Sequence, residues 1–482
     1  MKSICILGSG MGGSVLALSL VKKSNIKVTI IDCDSLNNSF RSDTCLEKKI
    51  EEQFQTVGYG FGGTSNLWHG VLSKLDSEDF MYSDNVKSEL DLQTTKISQF
   101  FGDISHLDCK KNQFKSHQLG KCINLNKLTS KPYIVQPLPT RFRKKIKEAN
   151  KIKTNLHIIE NSVVVKLNTL TSDEVKSVEY IQDGVIKHFS ADIFVVSLGA
   201  LETPRLLFQS FKGTNLFNKN IGIGLMDHPV AIIGQLEISK KIFYTQHGVN
   251  SLSNKASNRV GFVIPKSLRV NKHLNHSIFI RPGSASKDVE LCRKNIRSLV
   301  YNKISIKKVI SILLNKNLFL TVIGLISEKL SLGSYTNKFL LSVQLEQDSS
   351  SGSSVEVTDA IDSYGRKIPK IHRKYSNDLF TDLDNIKTIL KGLLKNNSTI
   401  DFFDVDFKDL DDASHYSGTC RAGKSINDSV VDSNLKYHSV NNLYVCDASI
   451  VPKIGNANLT ITIASYASRL STHILKLVKL NE

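Results

Sequence analysis

Gly8, Gly10 and Gly13, within the run Gly8-Ser9-Gly10-Met11-Gly12-Gly13, have the spacing that brings bare backbone up to a pyrophosphate. Asp32, further on, can accept hydrogen bonds from ribose hydroxyls. Gly8 permits a tight turn, Gly10 removes a side chain from the path of the phosphates, and Gly13 lets a helix pack against a strand. The elements needed to position them are legible. Ser3-Ile4-Cys5-Ile6-Leu7 reads as a short buried strand, Ser14 to Val21 has helical apolar spacing, and Lys27-Val28-Thr29-Ile30-Ile31 is a second strand ending at Asp32. The helix start adds unpaired N–H groups and a positive partial charge for phosphates. The expected ligand is NAD, NADP or FAD, with the charge of Asp32 set against a 2′-phosphate.

A second run, Gly60-Phe61-Gly62-Gly63-Thr64-Ser65-Asn66-Leu67-Trp68-His69-Gly70, combines four glycines with the only Trp and a His. Such glycine density lets backbone lie against a planar ligand. Ile193-Phe194-Val195-Val196 followed by Ser197-Leu198-Gly199 and a helix carrying Pro204 reads as a later strand of the same parallel sheet. The last informative stretch holds His415-Tyr416-Ser417-Gly418-Thr419-Cys420-Arg421, then Val445-Cys446-Asp447-Ala448, then Asn458-Leu459-Thr460-Ile461-Thr462 leading into a helix.

Composition narrows the rest. The chain has 482 residues, enough for two to four domains, with 63 Lys+Arg against 45 Asp+Glu and a net charge of +18. The lysines are spread singly and in short pairs, without the clustered motif that nucleic-acid binding needs. The 8 cysteines form no CxxC pair and no metal-ligand spacing, so free thiols in a reducing compartment and no metal site are expected. Met1-Lys2-Ser3 runs straight into a strand with no signal-peptide pattern, and the apolar tract 309–326 is broken by Asn315-Lys316-Asn317. A cytoplasmic protein is the expectation.

These segments together resemble the glucose–methanol–choline (GMC) family of flavin oxidoreductases, most strongly at 3–70, 190–230 and 412–475. The family's His-x-x-Gly-Thr-Cys-Arg-x-Gly pattern corresponds to His415 through Gly423, and its Asn-Pro-Thr-Leu-Thr block to Asn458 through Thr462, with Leu459 in place of Pro. Gly222 through Pro229 looks like the block leading into the substrate domain, with Ile223 at the usual Arg. Residues 345–367 are similar to bacterial members found near sugar-modifying genes. The resemblance implies a Rossmann-like, p-hydroxybenzoate-hydroxylase-like α/β FAD-binding domain with an inserted α+β substrate domain built on an antiparallel sheet. The FAD domain would be discontinuous, 1–229 plus 413–482, and the substrate domain 230–412.

The resemblance also implies residues. Gly8, Gly10, Met11, Gly13 and Asp32 would bind the adenosine and pyrophosphate half of FAD. Gly63, Thr64, Asn66, His69 and Gly70 would hold the flavin loop, Val164 would meet the adenine, and Asp447, Ala448 and Thr460 would lie beside the pyrophosphate and ribityl chain. His415 would be the catalytic histidine and Asn458 its partner. The chemistry suits the residues: alcohol oxidation needs a base for the hydroxyl proton while hydride leaves for the flavin, and Asn458 can steady the same oxygen. Asn458 could instead cap the last helix, and His69 either tunes the flavin or only packs. Leu67 occupies the position where some relatives attach FAD covalently to His, so non-covalent FAD is expected.

The expected function is FAD-dependent oxidation of a CH–OH group, of a sugar, cyclitol or polyol, with O2 or another carrier as electron acceptor. The alternatives are a hydroxynitrile-lyase-like activity or a flavin-binding protein without turnover. His228 is expected to be structural only. The basic and intermittently apolar stretch 287–330 is either a set of helices packed over the substrate sheet or a face making weak peripheral contact with a membrane. Asp348 through Ser354 reads as an exposed loop.

Overall fold

The computed structural model describes residues 1–23, 25–33, 58–79, 84–102, 118–121, 123–136, 138–169, 173–244, 257–283, 306–315, 334–395 and 397–480, with scattered positions between them. Its first layer is a five-stranded parallel sheet in the order Leu443–Val445, Ile193–Val196, Lys2–Leu7, Ile26–Ile31, Leu156–Ile159. The three central strands are continuous aliphatic and β-branched runs, as a sheet covered on both faces demands. Their register is flush: Leu7 pairs with Ile31 and with Val196, and Val196 pairs with Val445. The carboxyl ends therefore stop at one level, and Gly8, Asp32, Ser197 and Cys446 follow them along one rim, where open α/β sheets bind their ligands.

The second layer is an eight-stranded antiparallel sheet built on the long Pro229–Tyr244 and Ser334–Gln344 strands. The helix Asn377–Gly392 covers it, burying Leu379, Leu383, Ile386 and Leu390 at helical spacing against a core that includes Ile233, Leu236 and Phe339. The α/β class with an antiparallel substrate sheet is as expected. The layer also recruits Thr129–Val135, paired with Ser257–Val263, and Val71–Leu72, paired with Thr129–Val135. Both strands come from the stretch assigned above to the FAD domain. Their pairing is long-range, so local sequence carries no mark of it.

A two-stranded hairpin, Ser354–Ile361 with Lys367–His372, is tied to the helix Gly199–Phe211 by ion pairs. Pro204 in that helix cannot donate to Ala200 O, and the Thr419 hydroxyl takes that carbonyl instead at 2.7 Å. The expected exposed loop at 348–354 is only partly so. Ser353 is buried, and its hydroxyl bonds Lys374 O at 2.9 Å.

Cys5, Cys33, Cys292, Cys420 and Cys446 carry free thiols, while Cys45, Cys109 and Cys122 lie outside the described residues. Among the described residues no helix is long and apolar enough to cross a membrane, and no cluster of ligating side chains could hold a metal. Much of 287–330 lies outside the described residues, including Lys294, Arg297 and Lys303; within it, Ile306–Leu313 is helical.

Candidate active site

The rim of the parallel sheet opens into a cavity of about 570 Å³. Strand order sets the sequence of lining groups. Asp32, Ser162 and Val164 come first, then Gly8, Gly10 and Met11, then Leu198 and Gly199, then Asp447 and Ala448. Gly63, Thr64, His69, His415, Asn458 and Thr460 also line it. Of the residues expected to bind cofactor, Gly13, Asn66 and Gly70 do not line the cavity. A Cβ on Gly13 would lie 2.2 Å from Gly8 O, so its role is the helix–strand contact. Asn66 Nδ2 donates to Phe61 O at 2.8 Å and closes its own loop. Gly70 has φ +74 and packs against Pro139 and Gln136.

The glycine turn is built from both ends of the chain. Gly12, which has no place in the three-glycine pattern, faces Cys446 O so closely that a Cβ cannot be fitted. Gly10 differs: a Cβ there would meet nothing nearer than Ser197 O at 3.8 Å, and its φ is −59. Protein packing does not require glycine at Gly10. The bare space before it belongs to the cavity, at the start of the Met11–Leu20 helix, whose first turn has no side-chain cap. Asp32 accepts from Ser9 N at 2.6 Å, from the Ser9 hydroxyl, and from Cys33 N at 2.7 Å. These bonds fix the carboxylate against the cavity wall. Asp447 is held by Gly199 N at 2.9 Å, Thr203 Oγ1 at 2.6 Å and Ser449 N at 2.8 Å, and burial pushes its pKa up.

His415 and Asn458 meet in the same cavity, with Asn458 Nδ2 3.1 Å from His415 Nε2. Asn458 is not a helix cap. The last helix begins at Thr460, and Asn458 spends its polar atoms on Ser73 and His415: its N–H donates to Ser73 Oγ at 2.6 Å and its Oδ1 accepts from that hydroxyl at 3.3 Å. Burial, and then the nearby His69, hold the His415 pKa down to about 4.

Two neighbouring residues were missed by sequence reasoning. Asp227 accepts the backbone N–H groups of His228 at 2.7 Å, His415 at 2.6 Å and Ser414 at 3.2 Å. Burial and the Asp412 charge push its pKa up to about 7, against the pull of the His228 and His415 N–H groups. Ser414 has φ +63, a turn held in place by this carboxylate. His228, fully buried, puts its Nδ1 2.9 Å from His415 Nδ1 and its Nε2 2.8 Å from Gly455 O. The expectation that His228 is only structural thus overlooked its contact with the histidine at the site. The signal was its seat in the Gly222–Pro229 block, which reaches His415 only through the fold.

Residues 382–467 match the family model described as GMC oxidoreductase, a stretch containing His415, Asp447 and Asn458. Over that segment, the chain is similar to the GMC oxidoreductases. A stretch of 62 residues is 45% identical to 6'''-hydroxyparomomycin C oxidase of Streptomyces lividus, covering 13% of this chain and 11% of that protein. A further match is 46% identical over 55 residues to paromamine 6'-oxidase of Streptomyces fradiae, covering 11% and 10%. The chain therefore spans about a tenth of the length of the curated relatives it matches. The crystal structure of pyridoxine 4-oxidase from Mesorbium loti superposes with a TM-score of 0.57 at 16% identity, covering 99% of both chains, so both layers share the fold of that protein. Likeness to the GMC oxidoreductases implies FAD. The residues present fit it: the open space at Gly10, the acid at Asp32 and the uncapped helix start form a cradle for a dinucleotide.

Proposed function

We propose that the chain is an FAD-dependent oxidoreductase that oxidises a CH–OH group of a sugar, cyclitol or similar polyol. One observation carries this reading: His415 Nε2 and Asn458 Nδ2 lie 3.1 Å apart inside the cavity that also holds Gly10 and Asp32. FAD, when bound, supplies the hydride acceptor. His415 takes the hydroxyl proton at Nε2, and its depressed pKa keeps that nitrogen unprotonated at neutral pH. Asn458 Nδ2 donates to the same oxygen as charge develops on it, its orientation fixed by Ser73.

Asp32 and Val164 hold the adenosine. Gly8, Gly10, Met11, Gly63, Thr64, Asp447, Ala448 and Thr460 receive the pyrophosphate, ribityl and flavin parts, with His69 beside them. Gly13, Asn66 and Gly70 act by shaping the two loops. Leu67 lines the cavity and offers no nucleophile, which supports non-covalent FAD. The discontinuous FAD domain, 1–229 plus 413–482, lends Val71–Leu72 and Thr129–Val135 to the sheet of the 230–412 substrate domain.

A polyol substrate is supported by the polar side chains in the same cavity, Glu202, Arg366, Asp412, Ser414 and Tyr416. The names of the two curated relatives point the same way. The test is anaerobic bleaching of the purified yellow protein by a panel of sugars, cyclitols, sterols and simple alcohols, followed by reoxidation with O2 or a dye. One of the alcohols should bleach it. A lowered pKa on a base leaves the active form in place as pH falls, so the bleaching rate should hold until the pH nears about 4 rather than drop through the usual 6.5. Colourless protein that takes up no FAD, or an acid limb centred near pH 6.5, removes the reading.

A cytoplasmic setting with peripheral contact at an anionic membrane belongs to the same proposal. Ile306, Ile310, Leu313 and Leu314 recur at i, i+4, i+7 and i+8 and are 77%, 50%, 67% and 80% exposed. That row suits a lipid interface, and the +18 charge favours anionic headgroups. The protein should co-float with phosphatidylserine vesicles, and Leu313→Glu with Leu314→Glu should abolish this. Failure of the unaltered protein to float ends the membrane part alone.

A further inference from the structure

Gly455 O, His228, His415, Asn458 and Ser73 form one unbroken hydrogen-bonded chain, and its two ends can be read separately. At one end, Gly455 O is a carbonyl and can only accept, so His228 Nε2, 2.8 Å away, carries a hydrogen. His228 is fully buried, where a neutral ring is favoured, and the second ring beside it adds to this. A neutral His228 protonated on Nε2 has a bare Nδ1, so the hydrogen in the 2.9 Å contact between the two Nδ1 atoms belongs to His415. At the other end, Asn458 N–H points at Ser73 Oγ, so the Ser73 hydroxyl hydrogen is left for Asn458 Oδ1. The amide is thereby oriented with Nδ2, a donor, toward His415 Nε2. A donor there needs a bare Nε2, which again puts the His415 hydrogen on Nδ1.

We infer that His228 is a positioning residue that locks His415 in the Nδ1–H tautomer, leaving Nε2 as the proton acceptor of the site. The rings meet edge to face, 5.1 Å between centroids and 85° between planes, so the bond also fixes the orientation of the His415 ring. His228 touches neither substrate nor the carbon being oxidised. Its effect runs through His415, in the way the outer hydrogen-bond partner of a histidine sets which nitrogen is free. The inference rests on the reading of His415 as the base, and its test is arranged to separate the two.

The experiment is a 15N spectrum of the histidine-labelled protein with the cofactor it carries, the His415 signals being assigned by their loss in His415→Gln. The expected result is a protonated Nδ1 and an unprotonated Nε2 at neutral pH. Two variants then divide the bonds of His228. In His228→Asn the amide oxygen falls where Nδ1 was and can still accept from His415. In His228→Gln the amide reaches the Nε2 position and can still bond Gly455 O, but nothing remains to accept from His415. His228→Gln should shift the His415 hydrogen toward Nε2 and lower kcat by about 10–100-fold with little change in KM, while His228→Asn keeps most of the rate. A wild-type spectrum with the hydrogen on Nε2, or equal losses in the two variants, overturns the inference. Full turnover in His415→Gln would instead overturn the role of His415 and leave the tautomer reading standing on the spectrum.

Discussion

His415→Ala should slow reduction of the bound flavin by alcohol about 10²–10⁴-fold, the range that a positioned general base supplies. The loss should fall on kcat, since the residue acts on the proton that moves with the reaction. The visible spectrum of the cofactor should survive. Asp32, Gly10 and Asp447, at the other stations along the cavity, make none of their hydrogen bonds to His415. Removing the ring also frees the Nδ1 of His228 and Asn458 Nδ2 from their partner, so some stability will go with it. Stopped-flow reduction under nitrogen, with thermal melting alongside, measures both. A rate within tenfold of wild type would show that the base lies elsewhere.

Arg205→Ala should destabilise the protein by about 3–5 kcal/mol, because it leaves Asp362 and Glu202 with only one of their two counter-charges. Arg205 is 2% exposed and grips three segments. Its Nη2 lies 2.7 Å from Asp362, its Nη1 3.0 Å from Glu202, and its Nε donates to Lys367 O at 2.5 Å. Arg366 completes the set, 2.8 Å from Asp362 and 3.5 Å from Glu202, giving two cations and two anions. Removing one cation breaks that balance at the buried pair of Arg205 and Asp362. Arg205→Lys keeps the charge but cannot reproduce the fork, and should lose less. Urea unfolding at neutral pH gives the comparison. A midpoint shift equivalent to less than ~1 kcal/mol for Arg205→Ala would mean that water enters the cluster. Glu202 and Arg366 line the cavity as well as belonging to this cluster, so the variant should also weaken whatever binds there.

The glycine turn, both flanking strands and Asp32 were legible because each depends on neighbours a few residues away. The same holds for the Ile193–Val196 strand and its glycine turn. His415 and Asn458 were legible only through a resemblance, since nothing local distinguishes a lone histidine or a helix-leading asparagine. What stayed hidden was set by contacts across the chain. Gly12 needs to be glycine because of Cys446 O, which no pattern around residue 12 records. Asn66 is assigned to the flavin loop by resemblance alone, and its side chain turns inward to Phe61 O. His228 sits in a recognisable block, but its meaning comes from Gly455 on one side and His415 on the other. The place of Thr129–Val135 in the second layer is set by its partner, Ser257–Val263, far along the chain.

The order of strands in the parallel sheet bears on how the protein is made. The edge strand Leu443–Val445 and the turn at Asp447 close the rim that Gly8 and Asp32 open, and Gly12 rests on the carbonyl of Cys446. A ribosome that has released only the first four hundred residues has therefore produced a nucleotide turn with no floor beneath it. On the function proposed above, FAD is taken up only once residues 443–449 have joined the sheet, and a nascent chain ending before them carries an incomplete crevice.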